Sequence, residues 1–202
     1  MSTKPHSFFE NTVAAPDTCT HLTGHEHVAS LTALAAPIDF TDAGIMSTWT
    51  RTPTFDVRSI LTPFGNIPWP LMQASFPMLK PTLHAQKVVA LLDRAWDDEF
   101  LDGFLATEQW GNDNVSFPGE CYARYIEELY RGNRLTAGTF TVLGRPAPLS
   151  NITCPTLAIA FADDHIVPVP SAQPLIDLVG ARDKQLVGDR GGHVEAVLSK
   201  KS

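Results

Sequence analysis

The chain has 202 residues, of which 44% are hydrophobic and 18% are charged, a composition typical of a soluble globular protein and not of a disordered one. The length suffices for one domain with one hydrophobic core. A net charge of −7 without a run of Lys or Arg argues against a nucleic-acid surface.

Targeting and metal signals are weak. No segment is long and apolar enough for a membrane span, and the amino terminus does not resemble a signal peptide. Three irregularly spaced cysteines predict a reducing compartment, and therefore a cytoplasmic location, without a disulfide framework. His21, His25 and His27 lie near Glu26, but they do not complete a ligand shell, so we predict neither a metal nor a cofactor.

In chain order, residues 1–24 are predicted to be an irregular segment, and residues 28–35 a buried strand because Val28, Leu31 and Leu34 are apolar. Residues 41–148 follow as an insertion. Apolar residues at helical spacing predict helices at 83–96 and 97–110, and a third between Pro118 and Gly132. Such an insertion is typical of a cap or lid domain that excludes water from a site at the strand ends.

The interval 155–198 carries the chemistry. A continuous apolar run at 157–161 predicts a strand covered on both faces of a parallel sheet, and it ends at Asp163 and Asp164. Ser171 is the predicted N-cap of a helix that Gly180 ends in a left-handed conformation. A short last strand is expected at 184–187. Residues 25–40 and 149–202 therefore form the predicted α/β core.

A histidine loop follows that last strand. Gly191 and Gly192 allow a tight turn just before His193, so its imidazole can reach back to the aspartate loop. This order of strand, acid, helix, strand and histidine is how α/β-hydrolase-type enzymes place the acid and base of a triad, here Asp164 and His193. The alternative is that both aspartates cap the loop and His193 is only a turn residue.

Several separated motifs resemble the polyhydroxyalkanoate synthases, especially the short-subunit type. They are Ala-Pro-Ile-Asp-Phe at 36–40, Gly-Asn-Ile-Pro at 65–68, Ile-Thr-Cys-Pro at 152–155, Asp-His-Ile-Val-Pro at 164–168 and Gly-Gly-His-Val at 191–194. The resemblance covers about residues 25–198. It implies the carboxyl-terminal portion of an α/β-hydrolase fold, with the last strands of a mostly parallel sheet and a largely helical cap. It also implies that Asp164 is the triad acid and His193 the general base, with hydroxyacyl-CoA as substrate and a polyester as product.

The family nucleophile is a cysteine in a GxCxG elbow, and neither GxCxG nor GxSxG occurs in this chain. Cys19 lacks flanking glycines, whereas Cys121 and Cys154 are expected to be small buried residues. We therefore expect little or no polymerase activity from this polypeptide alone. Two alternatives stay open: a non-catalytic remnant or split-enzyme subunit that pairs with a companion chain or a second copy, and an ester hydrolase, which would need an elbow serine.

Overall fold

The computed structural model describes residues 6–11, 28–79 and 81–193. These residues form two compact units. The first unit contains the described residues before 56 and after 124, and the second unit contains residues 56–124.

The strands lie in the first unit. They are β1 His6–Asn11, β2 Val28–Leu34, β3 Thr141–Val142, β4 Arg145–Pro146, β5 Thr156–Phe161 and β6 Lys184–Asp189. Four of them form a parallel sheet in the order β1-β2-β5-β6, and β3 pairs with β4 in an antiparallel hairpin. Because all four strands of the sheet are parallel, their carboxyl ends meet at the same edge.

The helices belong to both units. They are α1 Gly44–Arg51, α2 Val57–Leu61, α3 Trp69–Leu79, α4 Pro81–Asp93, α5 Asp98–Asn112, α6 Gly119–Arg124, α7 Val169–Ala172 and α8 Pro174–Leu178, with a π-helix at Tyr125–Arg131 and a 3-10 helix at Leu149–Asn151. Helices α2 to α6 form the second unit.

Strand β5 supplies core residues to both faces of the sheet. Phe161 packs with Leu34 and Ala35, whereas Ala160 packs with Val167 and Ala172. Successive residues of a strand point to opposite faces, so the two clusters lie on different sides of β5. The apolar run at 157–161 is therefore explained by burial on both faces, as the sequence predicted.

The second unit is built from helices with large exposed apolar side chains. Trp69, Trp96 and Trp110 are 48%, 78% and 57% exposed. Two non-helical segments of this unit are joined by an antiparallel backbone bridge between Ile67 and Phe117. The size of these rings would favour burial, but in this unit the three rings are open to solvent.

The predicted helices are present, with different ends. The helices expected at 83–96 and 97–110 are α4 and α5, and the third is divided into α6 and the π-helix. The wider turn is visible at its end, where the N–H of Gly132 donates to the carbonyl of Glu127, five residues back, at 3.0 Å.

Three local expectations were wrong. Residues 1–24 were expected to be irregular, but residues 6–11 form strand β1 and pair with β2. Without β1, this edge of β2 would expose unpaired N–H and C=O groups, which a segment of good strand propensity such as the one around Phe8 and Phe9 can satisfy. Ser171 is not an N-cap, because its Oγ donates to the carbonyl of Asp39. Gly180 has no left-handed φ; it is required because a Cβ there would lie 2.2 Å from the Ser150 carbonyl oxygen.

The assignment of residues 41–148 to a cap stays a prediction. Residues 56–124, the second compact unit, lie inside that interval. The remaining part of the interval, from 41 to 55 and from 125 to 148, clusters with the sheet.

Candidate functional site

The acid candidate Asp164 lies in the loop that follows β5. Its side chain is fully buried, and its Oδ1 accepts hydrogen bonds from the backbone N–H groups of Ile166 and Val167, both at 2.8 Å. These two bonds satisfy one carboxylate oxygen and fix the loop around it. The other oxygen, Oδ2, is left for a side-chain partner.

That partner is His193. Its Nδ1 lies 2.6 Å from Oδ2 of Asp164, and its side chain is 18% exposed. A carboxylate oxygen accepts hydrogen bonds, so this contact is a hydrogen bond in the tautomer that carries its proton on Nδ1. The structure therefore brings together the two residues that the sequence paired.

Backbone geometry accounts for the approach of the two loops. Gly191 has a φ of 125°, in the region that favours glycine. The ladder between β5 and β6 also continues beyond the strands, since the N–H of Asp163 donates to the carbonyl of Gly191 at 3.1 Å. The acid loop and the histidine loop are thus joined through their backbones before the side chains meet.

The structure distinguishes the two neighbouring aspartates. Asp163 is exposed, whereas Asp164 is buried and bonded to His193. His165, the other titratable neighbour, is also exposed. The geometry favours Asp164 as the acid of the pair.

The arrangement has a defined chemical capacity. A carboxylate that holds Nδ1–H fixes the tautomer of the imidazole, leaves Nε2 able to take a proton, and stabilises the imidazolium that results. Such a pair serves as acid and base beside a nucleophile. The catalytic roles of Asp164 and His193 themselves stay predictions.

The cysteines do not provide an obvious nucleophile in the described part of the chain. Cys121 is exposed on α6, in the second unit, contrary to the expected burial. Cys154 is half-buried, and burial raises the pKa of its thiol, which lowers the thiolate fraction that attack requires. Cys19 lies outside the described residues, as do His21, His25 and His27.

A set of supporting residues was missed in the sequence. The segment between β2 and α1, residues 35–43, is held by Asn133, whose Oδ1 accepts from the N–H of Phe40 at 3.1 Å and whose Nδ2 donates to Asp39 at 2.9 Å. Arg51 donates to the carbonyls of Phe40 and Thr41 at 2.8 and 2.6 Å. The Gly-Asn pair at 132–133 was the sequence signal that could have drawn attention to Asn133, because Asn tolerates a positive φ and Asn133 has a φ of 44°.

Asp39 is itself perturbed by this set. Burial acts to raise the pKa of Asp39, but hydrogen bonds from Thr41 and Asn133 and the charge of Arg51 outweigh it, so the pKa lies below the ordinary carboxyl range. The segment is therefore fixed by a charged and hydrogen-bonded network and not by apolar packing alone.

Within residues 28–79 and 81–193, no group of three or more His, Cys, Asp or Glu side chains is arranged to hold a metal ion. No helix in the described part of the chain has the length and apolar character needed to cross a membrane.

No protein-family model matches the chain. Individual proteins do. The chain is 31% identical over 179 residues to the poly(3-hydroxyalkanoate) polymerase subunit PhaC of Allochromatium vinosum, covering 88% of this chain and 50% of that protein. It is 27% identical over 179 residues to the subunit of the same name in Haloferax mediterranei, covering 88% of this chain and 36% of that protein. The chain therefore spans about a third to a half of the length of these relatives.

Solved structures show the same fold. A hydrolase from Pseudomonas aeruginosa superposes with a TM-score of 0.53 at 14% identity, over 96% of this chain and 60% of that one. The monoacylglycerol lipase of Paleococcus ferrophilus gives 0.52 at 13% identity, over 94% and 60%. At this level of identity the likeness concerns the fold alone. The resemblance inferred from the motifs and the partial α/β-hydrolase fold are both confirmed.

Proposed function

The chain is a homologue of the poly(3-hydroxyalkanoate) polymerase subunits, and from this premise we propose that it supplies the acid and base of a polyhydroxyalkanoate synthase-like acyltransferase. The observation that supports the proposal is the hydrogen bond between Asp164 and His193. The substrate class is a 3-hydroxyacyl-CoA, and the products are a polyester and free coenzyme A.

The proposed chemistry has two transfers. In the first, the imidazole of His193 takes the proton of a cysteine thiol, the thiolate attacks the thioester carbonyl, and coenzyme A leaves with a proton. In the second, His193 removes a proton from the hydroxyl of the incoming hydroxyacyl group, and the hydroxyl oxygen attacks the acyl-cysteine thioester. The new ester bond forms as the C–S bond breaks, and the proton on His193 returns to the departing cysteine sulfur. Asp164 keeps the imidazole in the required tautomer throughout.

The thiol for this reaction is not assigned to Cys19, Cys121 or Cys154, because the sequence has no GxCxG elbow. An elbow needs small neighbours since its nucleophile occupies a strained turn. We therefore propose that the 202-residue polypeptide has little or no polymerase activity by itself. A cytoplasmic location, inferred from the irregular spacing of three cysteines in the sequence, stays part of the same proposal.

A second candidate function is that of a split-enzyme subunit or a non-catalytic partner. The observation that favours it is the position of β1 at one end of the sheet, where its outer edge has no partner strand among the described residues. An open parallel edge can accept a strand from another chain. The occupant would be a companion subunit that carries a nucleophile elbow.

One experiment tests both proposals. Coenzyme A release from 3-hydroxybutyryl-CoA is measured for the purified chain, for a polypeptide that carries the GxCxG elbow of the polyhydroxyalkanoate synthase family, and for their mixture. Release only on mixing is the expected result for a split enzyme. Release by the chain alone would overturn the proposed inactivity. An inactive mixture in which the two polypeptides co-elute would instead favour the non-catalytic partner.

A further inference from the structure

Gly44, the first residue of α1, lies unusually close to the acid loop. A Cβ built on Gly44 would stand 2.2 Å from the carbonyl oxygen of His165 and 3.3 Å from the carbonyl carbon. The crowded atoms are backbone, so no side-chain rotation relieves the contact. The φ of Gly44 is 62°, which adds a second and independent requirement for glycine.

The same loop is fixed from its other end. The backbone N–H groups of Ile38 and Asp39 both donate to the carbonyl of Ser171 at 2.9 Å. The Oγ of Ser171 donates in turn to the carbonyl of Asp39 at 2.6 Å. Ser171 lies in α7, immediately after the acid loop, so the segment from 35 to 44 approaches the acid loop at His165, through Gly44, and is bonded to α7 beyond Val167.

His165 sits between the residues that determine the carboxylate position. It follows Asp164 directly and precedes Ile166, whose N–H binds Oδ1 of Asp164 at 2.8 Å. A displacement of the His165 carbonyl must therefore move the peptide groups that orient Asp164, because the loop is short and each peptide is planar. The distance from Oδ2 to His193 depends on that orientation.

We propose that Gly44 is a positioning residue: its missing side chain lets the acid loop adopt the backbone that presents Asp164 to His193. Ser171 holds the same segment in register from the far side. The inference rests on the proposed function for the catalytic role of Asp164 and His193, but the hydrogen bond between these residues can be observed without measuring turnover.

The test compares two glycine variants. Gly44→Ala introduces both left-handed strain and the backbone contact. Gly138→Ala is the matched control, since Gly138 is in the same unit, has a φ of 68°, and has open space where its Cβ would lie. The readout is the exchange-protected Nδ1 proton resonance of His193 in proton NMR spectra, assigned by its absence in H193Q.

The expected result is loss or clear displacement of this resonance in G44A and its retention at the wild-type position in G138A. A folded G44A with an unchanged resonance would overturn the proposal, and so would an equal displacement in G138A. If G44A does not fold, the same resonance is measured in Ser171→Ala. An unchanged resonance in S171A would then overturn the proposal.

Turnover separates this inference from the proposed function. In the mixture with the elbow-containing polypeptide, G44A should lower kcat about 100-fold with little change in KM, the size expected for a misplacement of about 1 Å. If the mixture is inactive with the wild-type chain while G44A still displaces the resonance, the positioning role stands and the proposed function fails.

Discussion

Oδ2 of Asp164 and Nδ1 of His193 lie 2.6 Å apart although 29 positions separate the residues in sequence. Adjacent parallel strands, β5 and β6, bring their loops to the same edge of the sheet, and a backbone hydrogen bond from Asp163 to Gly191 joins the loops. The carboxylate is buried and fully engaged, whereas the imidazole keeps some contact with solvent. The pair therefore joins a buried, hydrogen-bonded carboxylate to an imidazole that keeps some solvent exposure.

Removal of the Asp164 carboxylate should destabilise the protein. Asp164→Ala leaves the N–H groups of Ile166 and Val167 and the Nδ1 of His193 without their acceptor, so we expect a loss of about 2–4 kcal/mol in the free energy of unfolding. Urea unfolding measures it. Asp163→Ala is the control, and because Asp163 is exposed its effect should stay within about 0.5 kcal/mol. Equal effects of the two variants would contradict the structure.

The network around Asp39 should make stability depend on pH. The pKa of Asp39 is lowered in the folded protein, so its contribution is present above the ordinary carboxyl pKa and is lost as pH falls through the lowered value. Because Asp39 is only half-buried and solvent screens its charge, we expect a contribution of less than about 1 kcal/mol. Unfolding of Asp39→Asn should therefore differ from wild type more near about pH 7 than near about pH 3. A difference that grows in acid would contradict this assignment.

Asn133 should matter through its bonds and also through its backbone. Asn133→Ala removes the acceptor of the Phe40 N–H and the donor to Asp39, and it places Ala at a φ of 44°. We expect a loss of about 2–3 kcal/mol. Asn133→Gly removes the same bonds without the left-handed strain, so it should cost about 1 kcal/mol less. Thermal unfolding of the two variants separates these contributions, and identical melting temperatures would show that strain contributes nothing.

The two described cysteines should react at different rates. In a Cys19→Ser background, Cys121 should be alkylated by iodoacetamide much faster than Cys154, because Cys121 is exposed while burial raises the pKa of Cys154. Mass spectrometry of timed samples gives both rates. Faster modification of Cys154 would indicate an activated thiol and would reopen its assignment as nucleophile.

Two glycines of the second unit should respond in opposite directions. A Cβ on Gly119 would lie 1.8 Å from the carbonyl oxygen of Gly65, so Gly119→Ala should destabilise by about 1–3 kcal/mol. Gly103 lies inside α5 with open space around it, and Gly103→Ala should stabilise by up to about 1 kcal/mol. Thermal unfolding gives the signs. Destabilisation by G103A would contradict the helix environment described for it.

Sequence alone was most informative where the chemistry is local. The apolar run at 157–161, the aspartates after it and the glycines before His193 predicted the strand, the loop and the pairing, because each depends on neighbouring residues and on the alignment of parallel strands. The choice of Asp164 over Asp163 was also made from the sequence, and the burial of Asp164 favours the same choice.

Contacts between distant segments were not predictable in the same way. Ser171 looked like a helix cap because serine often has that role, but its hydroxyl bonds to Asp39, 132 positions away. Gly180 looked like a helix stop, but it is needed for contact with Ser150. The strand at 6–11 is formed by pairing with the edge of β2, and the residues of 6–11 alone do not indicate that such an edge is available to them.

The most direct test of the account is the dependence of coenzyme A release on Asp164 in the mixture of this chain with the elbow-containing polypeptide. Asp164→Asn keeps the shape of the side chain but no longer holds the required tautomer of His193, so the rate should fall by about 10⁴-fold, as in other triads. Asp163→Asn should leave the rate within about twofold of wild type. Equal rates for D164N and D163N would show that the buried aspartate and His193 do not form the acid and base of the reaction.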